Sequence, residues 1–150
     1  MPYKIPESVL VIVHTPSLKV LVLERADRPG FWQSVTGSKD QWGEPLWQTC
    51  LREVKEETGI DLDPMALLDW EQQNRYEIYA LWQHRYEPGV THNTEHVFSC
   101  CVPEDTPVVI SPREHLRYEW LEQDRAARRC FSASNVEAIE QLHRRVGRSS

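Results

Sequence analysis

The chain has no apolar run approaching the length of a membrane span. Its first residues, Met1-Pro2-Tyr3-Lys4-Ile5-Pro6, lack a signal-peptide layout. Both absences point to a cytoplasmic protein with no membrane partner. Cysteine is scarce: Cys50, Cys100, Cys101 and Cys130 contain no Cys-x-x-Cys pair. Adjacent Cys100 and Cys101 would point to opposite faces of a strand, so buried free thiols are expected in place of a zinc site or disulfides. No internal repeat, low-complexity tract or linker interrupts the 150 residues. The chain therefore reads as one domain, residues 1–150, large enough for a real core. Positive charge is in deficit, with 17 Lys and Arg against 23 Asp and Glu, a net charge of −6. General attraction to nucleic acid is excluded as an expectation. A polyanionic ligand would need cations gathered locally, either a metal or a few placed Arg and Lys.

What is present alternates between apolar runs and turn chemistry. Val9 to His14 is a continuous apolar run, the pattern of a strand buried on both faces. Thr15-Pro16-Ser17 is a turn, and Lys19 to Glu24 is the returning strand of a hairpin. Phe31 to Thr36 reads as one short strand ending at Gly37, after a Pro29-Gly30 turn. Pro45 suits the first position of a helix, and Leu46, Cys50, Leu51 and Val54 repeat at helical spacing. Gly59 is placed as its left-handed stop. Met65 to Gln72 and Tyr76 to Trp82 read as a hairpin with its turn at Asn74-Arg75. Glu95 to Val102 is a further strand, and Leu116 to Leu121 an edge strand. Glu122 to Arg129 reads as a short helix. A last helix carries Val136, Ile139, Leu142 and Val146, with Ser134-Asn135 as its cap.

The acidic helix is the chemically loaded element. Glu53, Glu56 and Glu57 fall at offsets of zero, three and four, so they share one helical face. Like charges at that spacing repel, and a helix does not gather them for stability. A hard divalent cation such as Mg²⁺ reverses the sign, because it seeks carboxylate oxygens. The competing reading is a solvated acidic face.

Gly37 through Ile60 resembles the Nudix box, Gly-x5-Glu-x7-Arg-Glu-U-x-Glu-Glu-x-Gly-U, where U is a bulky aliphatic. The matches are Gly37, Glu44, Arg52, Glu53, Val54, Glu56, Glu57, Gly59 and Ile60. The second half keeps the spacing. The first half departs, with six residues between Gly37 and Glu44, and one extra loop residue costs little. The resemblance implies an α/β (α+β) fold, a Nudix-type α/β/α sandwich with a mixed β-sheet. It also implies Mg²⁺-dependent pyrophosphohydrolysis, with Mn²⁺ able to substitute. Glu53 and Glu57 are then the metal ligands, Glu56 a supporting or basic residue with Glu57 the alternative base, and Arg52 a clamp on a carboxylate. An ordinary helix salt bridge is the other reading of Arg52.

Outside the box, Tyr3-Lys4, Arg25, Phe31 to Ser38, Arg85-Tyr86, Pro88 to Thr91, Asn93-Thr94-Glu95, Glu114-His115-Leu116 and Ser134-Asn135 resemble one branch of that family. The branch removes pyrophosphate from 7,8-dihydroneopterin triphosphate in folate biosynthesis. The implied partner is a small-molecule triphosphate, with the protein a monomer or homodimer. Lys4 and Arg25 would supply cations for the triphosphate. Thr36 would meet substrate where its strand ends. Tyr76, Glu77, Ile78 and Tyr79 would line a pterin pocket. Glu114 would be a third metal ligand or a base, and Ser132 and Asn135 would reach substrate. The box leaves the base of the substrate unspecified. A general or housecleaning (d)NTP pyrophosphatase and a catalytically silent nucleotide-binding module therefore stand as alternatives. His92 and His96 have metal-like spacing but lie in loop and strand, so they read as structural or surface residues.

Overall fold

The apolar run of the first strand sits at the centre of the sheet. A computed structural model describes residues 3–146. In it β1 (Glu7–His14) pairs in parallel with β6 (His92–Cys101) along its whole length. On its other edge β1 is shared between two partners. Ser8 to Val11 pair antiparallel with β4 (Val35–Ser38), and His14 pairs with Val20 of β2 (Lys19–Arg25). β2 in turn pairs with β3 (Trp32–Gln33) and with β7 (His115–Glu122), and β5 (Leu67–Glu77) pairs antiparallel with β6. The result is one mixed seven-stranded sheet.

Both faces are covered. Val9, Val11 and Val13 pack with Cys50 and Val54 of α1 (Leu46–Thr58), while Leu10 and Ile12 pack toward α2 (Gln123–Arg129) and α3 (Ala133–Val146). This two-sided burial explains the unbroken apolar run, since each aliphatic side chain gains roughly 1.5–3 kcal/mol on full burial. The sandwich is the expected one.

Several local expectations change. Phe31 to Thr36 is two strands, because the chain leaves β2 after Gln33 and joins β1 at Val35. The switch residue Ser34 donates its backbone N–H to Asn135 Oδ1 at 2.8 Å. Gly37 lies inside β4 instead of ending it. The expected 65–82 hairpin is a single strand, β5, followed by a 3-10 turn at Ala80–Arg85. Asn74 and Arg75, turn residues by chemistry, pair with Glu95 and Thr94. The long partner strand overrides local propensity. The irregularity is absorbed earlier, where the register shifts between Asp69 and Gln73 and Glu71 adopts φ 53°. Asn135 lies within the first turns of α3 and is no cap. Pro45 precedes α1 in extended conformation, and Gly59 at φ 75° stops the helix. Cys101 is exposed, and the other three thiols are buried.

Candidate active site

α1 presents its glutamates unequally. The spacing that puts Val54 and Thr58 in the core carries Glu57 in with them, leaving it 3% exposed. Glu53, one turn earlier, is mostly buried beside it, and their side chains hydrogen-bond to each other. Glu56 turns outward, its carboxylate half exposed. The three therefore do not act as one face: two form a buried pair. Loss of water raises the pKa of both, most strongly for Glu57, where the facing Glu53 and Glu114 charges add to burial and the Thr36 backbone N–H opposes it. Glu57 Oε1 has no hydrogen-bond partner among the described residues. His115 Nε2 stands 3.8 Å from it, beyond hydrogen-bond reach. Burial, and then Arg25, lower the pKa of that imidazole to about 4, so it is neutral.

Arg52 holds this pair in place. Its Nη1 donates to Glu53 Oε2 at 2.8 Å, Nε and Nη2 fork onto the two oxygens of Glu44 at 3.2 and 2.9 Å, and Nη2 also reaches the Ser38 carbonyl at 3.0 Å. One guanidinium thus ties α1 to the loop that feeds it. The extra loop residue leaves Glu44 docked, its pKa held at about 2 chiefly by the bond from Arg52. Gly37 completes the seat. A Cβ there would fall on the Glu53 carboxyl group, so only glycine lets that side chain lie against β4.

Two cavities meet beside the pair. One, of about 290 Å³, is lined by Glu57, Glu114, His115 and Arg113. The other, of about 100 Å³, is walled by Tyr76, Ile78, Tyr79, Trp82, Tyr86 and Phe131. Arg25, Gln33, Thr36 and Arg85 line both and form the neck between them. Arg25 is fixed there by Asp27 at 2.8 Å on Nε and on Nη2, by Gln33 Oε1 at 3.1 Å on Nη1, and by the Trp82 ring 4.3 Å away. Lys4 is exposed as a residue, but its ammonium faces the same crowded mouth, 5.9 Å from the Tyr86 ring centroid. Lost hydration and then Arg85 lower its pKa, while Glu53 and Glu57 oppose them.

The structure thus sets a carboxylate pair on a helix after a glycine-bearing strand, with basic residues at the neck of an aromatic chamber. A NUDIX domain model matches residues 4–142. The chain belongs to the Nudix family. It is 45% identical over 143 residues to the dihydroneopterin triphosphate diphosphatase of Escherichia coli K12, covering 93% of each chain. It is 38% identical over 143 residues to the protein of that name from Haemophilus influenzae, covering 93% of this chain and 89% of that one. The solved structure of the E. coli dihydroneopterin triphosphate pyrophosphohydrolase superposes with a TM-score of 0.87 at 43% identity, over 95% of this chain and 97% of the other.

In this Nudix domain the fold gathers Arg25, Thr36, Tyr76, Ile78, Tyr79, Ser132 and Asn135 at the chambers, with Lys4 outside them within reach of the charges of Arg85 and Arg25. It does not bring Glu77, which follows Tyr76 on the alternate face of β5 and is exposed on a shallow outer groove. Glu56 lines neither chamber. Ile78 and Tyr79 lie beyond the end of β5, on the loop that closes the aromatic chamber. Sequence reasoning missed Gln33, Trp82, Tyr86, Arg85, Glu95 and Phe131 as lining residues. Gln33 in Phe31 to Ser38, Arg85-Tyr86 and Glu95 in Asn93-Thr94-Glu95 gave a signal, as part of the family resemblance; Trp82 and Phe131 gave none.

The donor set suits a hard divalent cation. Glu53 and Glu57 are two oxygen donors held in contact away from water, and one of their oxygens lacks any partner. As the side chains stand, no group of three or more His, Cys, Asp or Glu among the described residues is arranged to hold a metal ion. Glu114 is exposed on the rim of the same chamber, and its charge acts on Glu57. Nudix enzymes use divalent metal ions, and these residues fit that requirement.

Proposed function

We propose that the chain hydrolyses 7,8-dihydroneopterin triphosphate to dihydroneopterin monophosphate and pyrophosphate, using Mg²⁺ or, in its place, Mn²⁺. One observation carries the reading: the aromatic chamber shares the Arg25 neck with a second chamber lined by Glu57 of the buried pair. A flat bicycle stacked between rings would place its triphosphate in the neck. Arg25, Arg85 and Lys4 would meet the phosphate oxygens, cations that an acidic protein must gather on purpose.

Glu53, Glu57 and Glu114 would hold the metal, which when bound neutralises phosphate charge and acidifies water. Arg52 keeps Glu53 in position. His115 is neutral, so it adds no competing positive charge beside the pair. Water is shed from the pair by burial, which strengthens each charge interaction inside. The two carboxylates of the set open to solvent are Glu56 and Glu114. With Glu114 engaged as a ligand, the proton released by the attacking water would pass to Glu56, the half-exposed carboxylate beside the pair.

The test is a panel of triphosphates with Mg²⁺, reading pyrophosphate and phosphate separately. The pterin triphosphate should be cleaved fastest, with pyrophosphate as the product. Faster cleavage of dGTP or ATP would replace this reading with a general nucleotide pyrophosphatase.

A further inference from the structure

The aromatic chamber contains a carboxylate that the hydrolytic chemistry does not use. Glu95 projects from β6 into it, 3% exposed, and its Oε1 has no hydrogen-bond partner among the described residues. Two residues away on the same face of β6, Asn93 spends both amide hydrogens, on Ser8 Oγ at 2.7 Å and Tyr76 Oη at 3.0 Å. That leaves Asn93 Oδ1 an unpartnered acceptor as well. Among the described residues no cation pairs with Glu95, and burial raises its pKa while the side chains of Ser134 and Asn74 oppose the rise. A buried acceptor without a donor costs stability, so such a pair is kept where a ligand supplies the donors.

We infer that Glu95, seconded by Asn93 Oδ1, reads the donor edge of a 2-amino-4-oxo heterocycle, its ring N–H and exocyclic amino group together. A carboxylate accepts two parallel N–H bonds from that edge, as it does from a guanidinium. Adenine and cytosine present an acceptor at the corresponding ring nitrogen, and hypoxanthine lacks the amino group. The inference rests on the reading that the aromatic chamber holds the substrate's base. It assigns base selection to Glu95 and leaves the phosphate chemistry to α1.

The experiment compares wild type and Glu95→Gln on dihydroneopterin triphosphate, GTP, ITP and ATP, with neopterin as a phosphate-free competitive inhibitor. Wild type should favour GTP over ITP, and Glu95→Gln should lose on the order of 10- to 100-fold in kcat/KM on the pterin triphosphate and on GTP, the worth of a hydrogen bond to a charged group. The loss on ATP should be clearly smaller, the GTP-over-ITP preference should disappear, and neopterin inhibition should weaken by a similar factor. Equal losses on all four substrates, or none, would overturn the inference. The wild-type comparison stands even if the variant does not fold: equal kcat/KM on GTP and ITP would also overturn it. A wild type that cleaves GTP over ITP but ignores the pterin triphosphate would sink the proposed substrate and keep Glu95 as the reader of the edge. A pterin triphosphatase indifferent to Glu95→Gln would do the reverse.

Discussion

Arg52→Ala should separate a structural clamp from an ornamental salt bridge. The guanidinium makes four hydrogen bonds, to Glu44 twice, to Glu53 and to the Ser38 carbonyl. Its contacts to Glu56 at 3.7 Å and to the exposed Asp40 are worth little in solvent. Removing it leaves Glu53 buried with no cation and frees the loop between β4 and α1. Breaking a buried charge pair from one side costs about 3–5 kcal/mol, and partial exposure here brings the expected loss to about 2–4 kcal/mol. In a domain of this size that lowers the melting temperature by roughly 5–15 °C. Arg52→Lys should recover only a minor part, since an ammonium cannot fork onto Glu44 and reach Glu53 together.

The pH dependence gives a second handle on the same residue. The Glu44 carboxyl, depressed by Arg52 from 4.5 to about 2, contributes stability that is present above pH 4.5 and lost as the pH falls toward 2. The Arg52→Ala protein should lack that acid-range loss. Urea unfolding from pH 2 to 7 measures both effects, and Mg²⁺ titration of activity should show a 10–100-fold weaker apparent metal affinity. A loss below 1 kcal/mol with unchanged Mg²⁺ dependence would refute the clamp.

Three further outcomes follow from the same geometry. Gly37→Ala should fold nearly normally but push the Glu53 carboxyl off its seat, lowering kcat about 100-fold; activity within threefold of wild type would contradict the packing. In metal-free protein the raised carboxyl pKa of Glu57 means stability is fullest below pH 4.5 and falls as the pH rises through the folded value. Thermal melts should show that fall, Mg²⁺ should cancel it, and Glu57→Gln should shrink it and remove the Mg²⁺ response. Trp82→Ala removes the ring 4.3 Å from Arg25, a contact worth about 0.5–2 kcal/mol, so steady-state kinetics should show KM raised roughly 3- to 30-fold with kcat little changed.

The sequence by itself determined the elements with strong period or fixed chemistry. The buried run of β1, the stripe of α1, the Gly59 stop and the carboxylates of the box each follow from local pattern. Their physical basis acts over a few residues: side-chain periodicity, left-handed φ at glycine, and the spacing of charges on one turn. That is why the family and the layered fold were legible from one chain. Tertiary structure decided what depends on partners far away in sequence. β6 straightened a stretch that local chemistry would have turned, and Asn135 left its apparent capping role to hold Ser34, 101 positions away. Burial sorted three equivalent-looking glutamates into a pair and an outlier, because the core accepts Glu57 with its neighbours and leaves Glu56 outside. Glu95 shows the same limit most clearly. On a strand it reads as one more polar residue, and only the fold, which places it with Tyr76, Trp82 and Phe131 on one chamber, makes it matter.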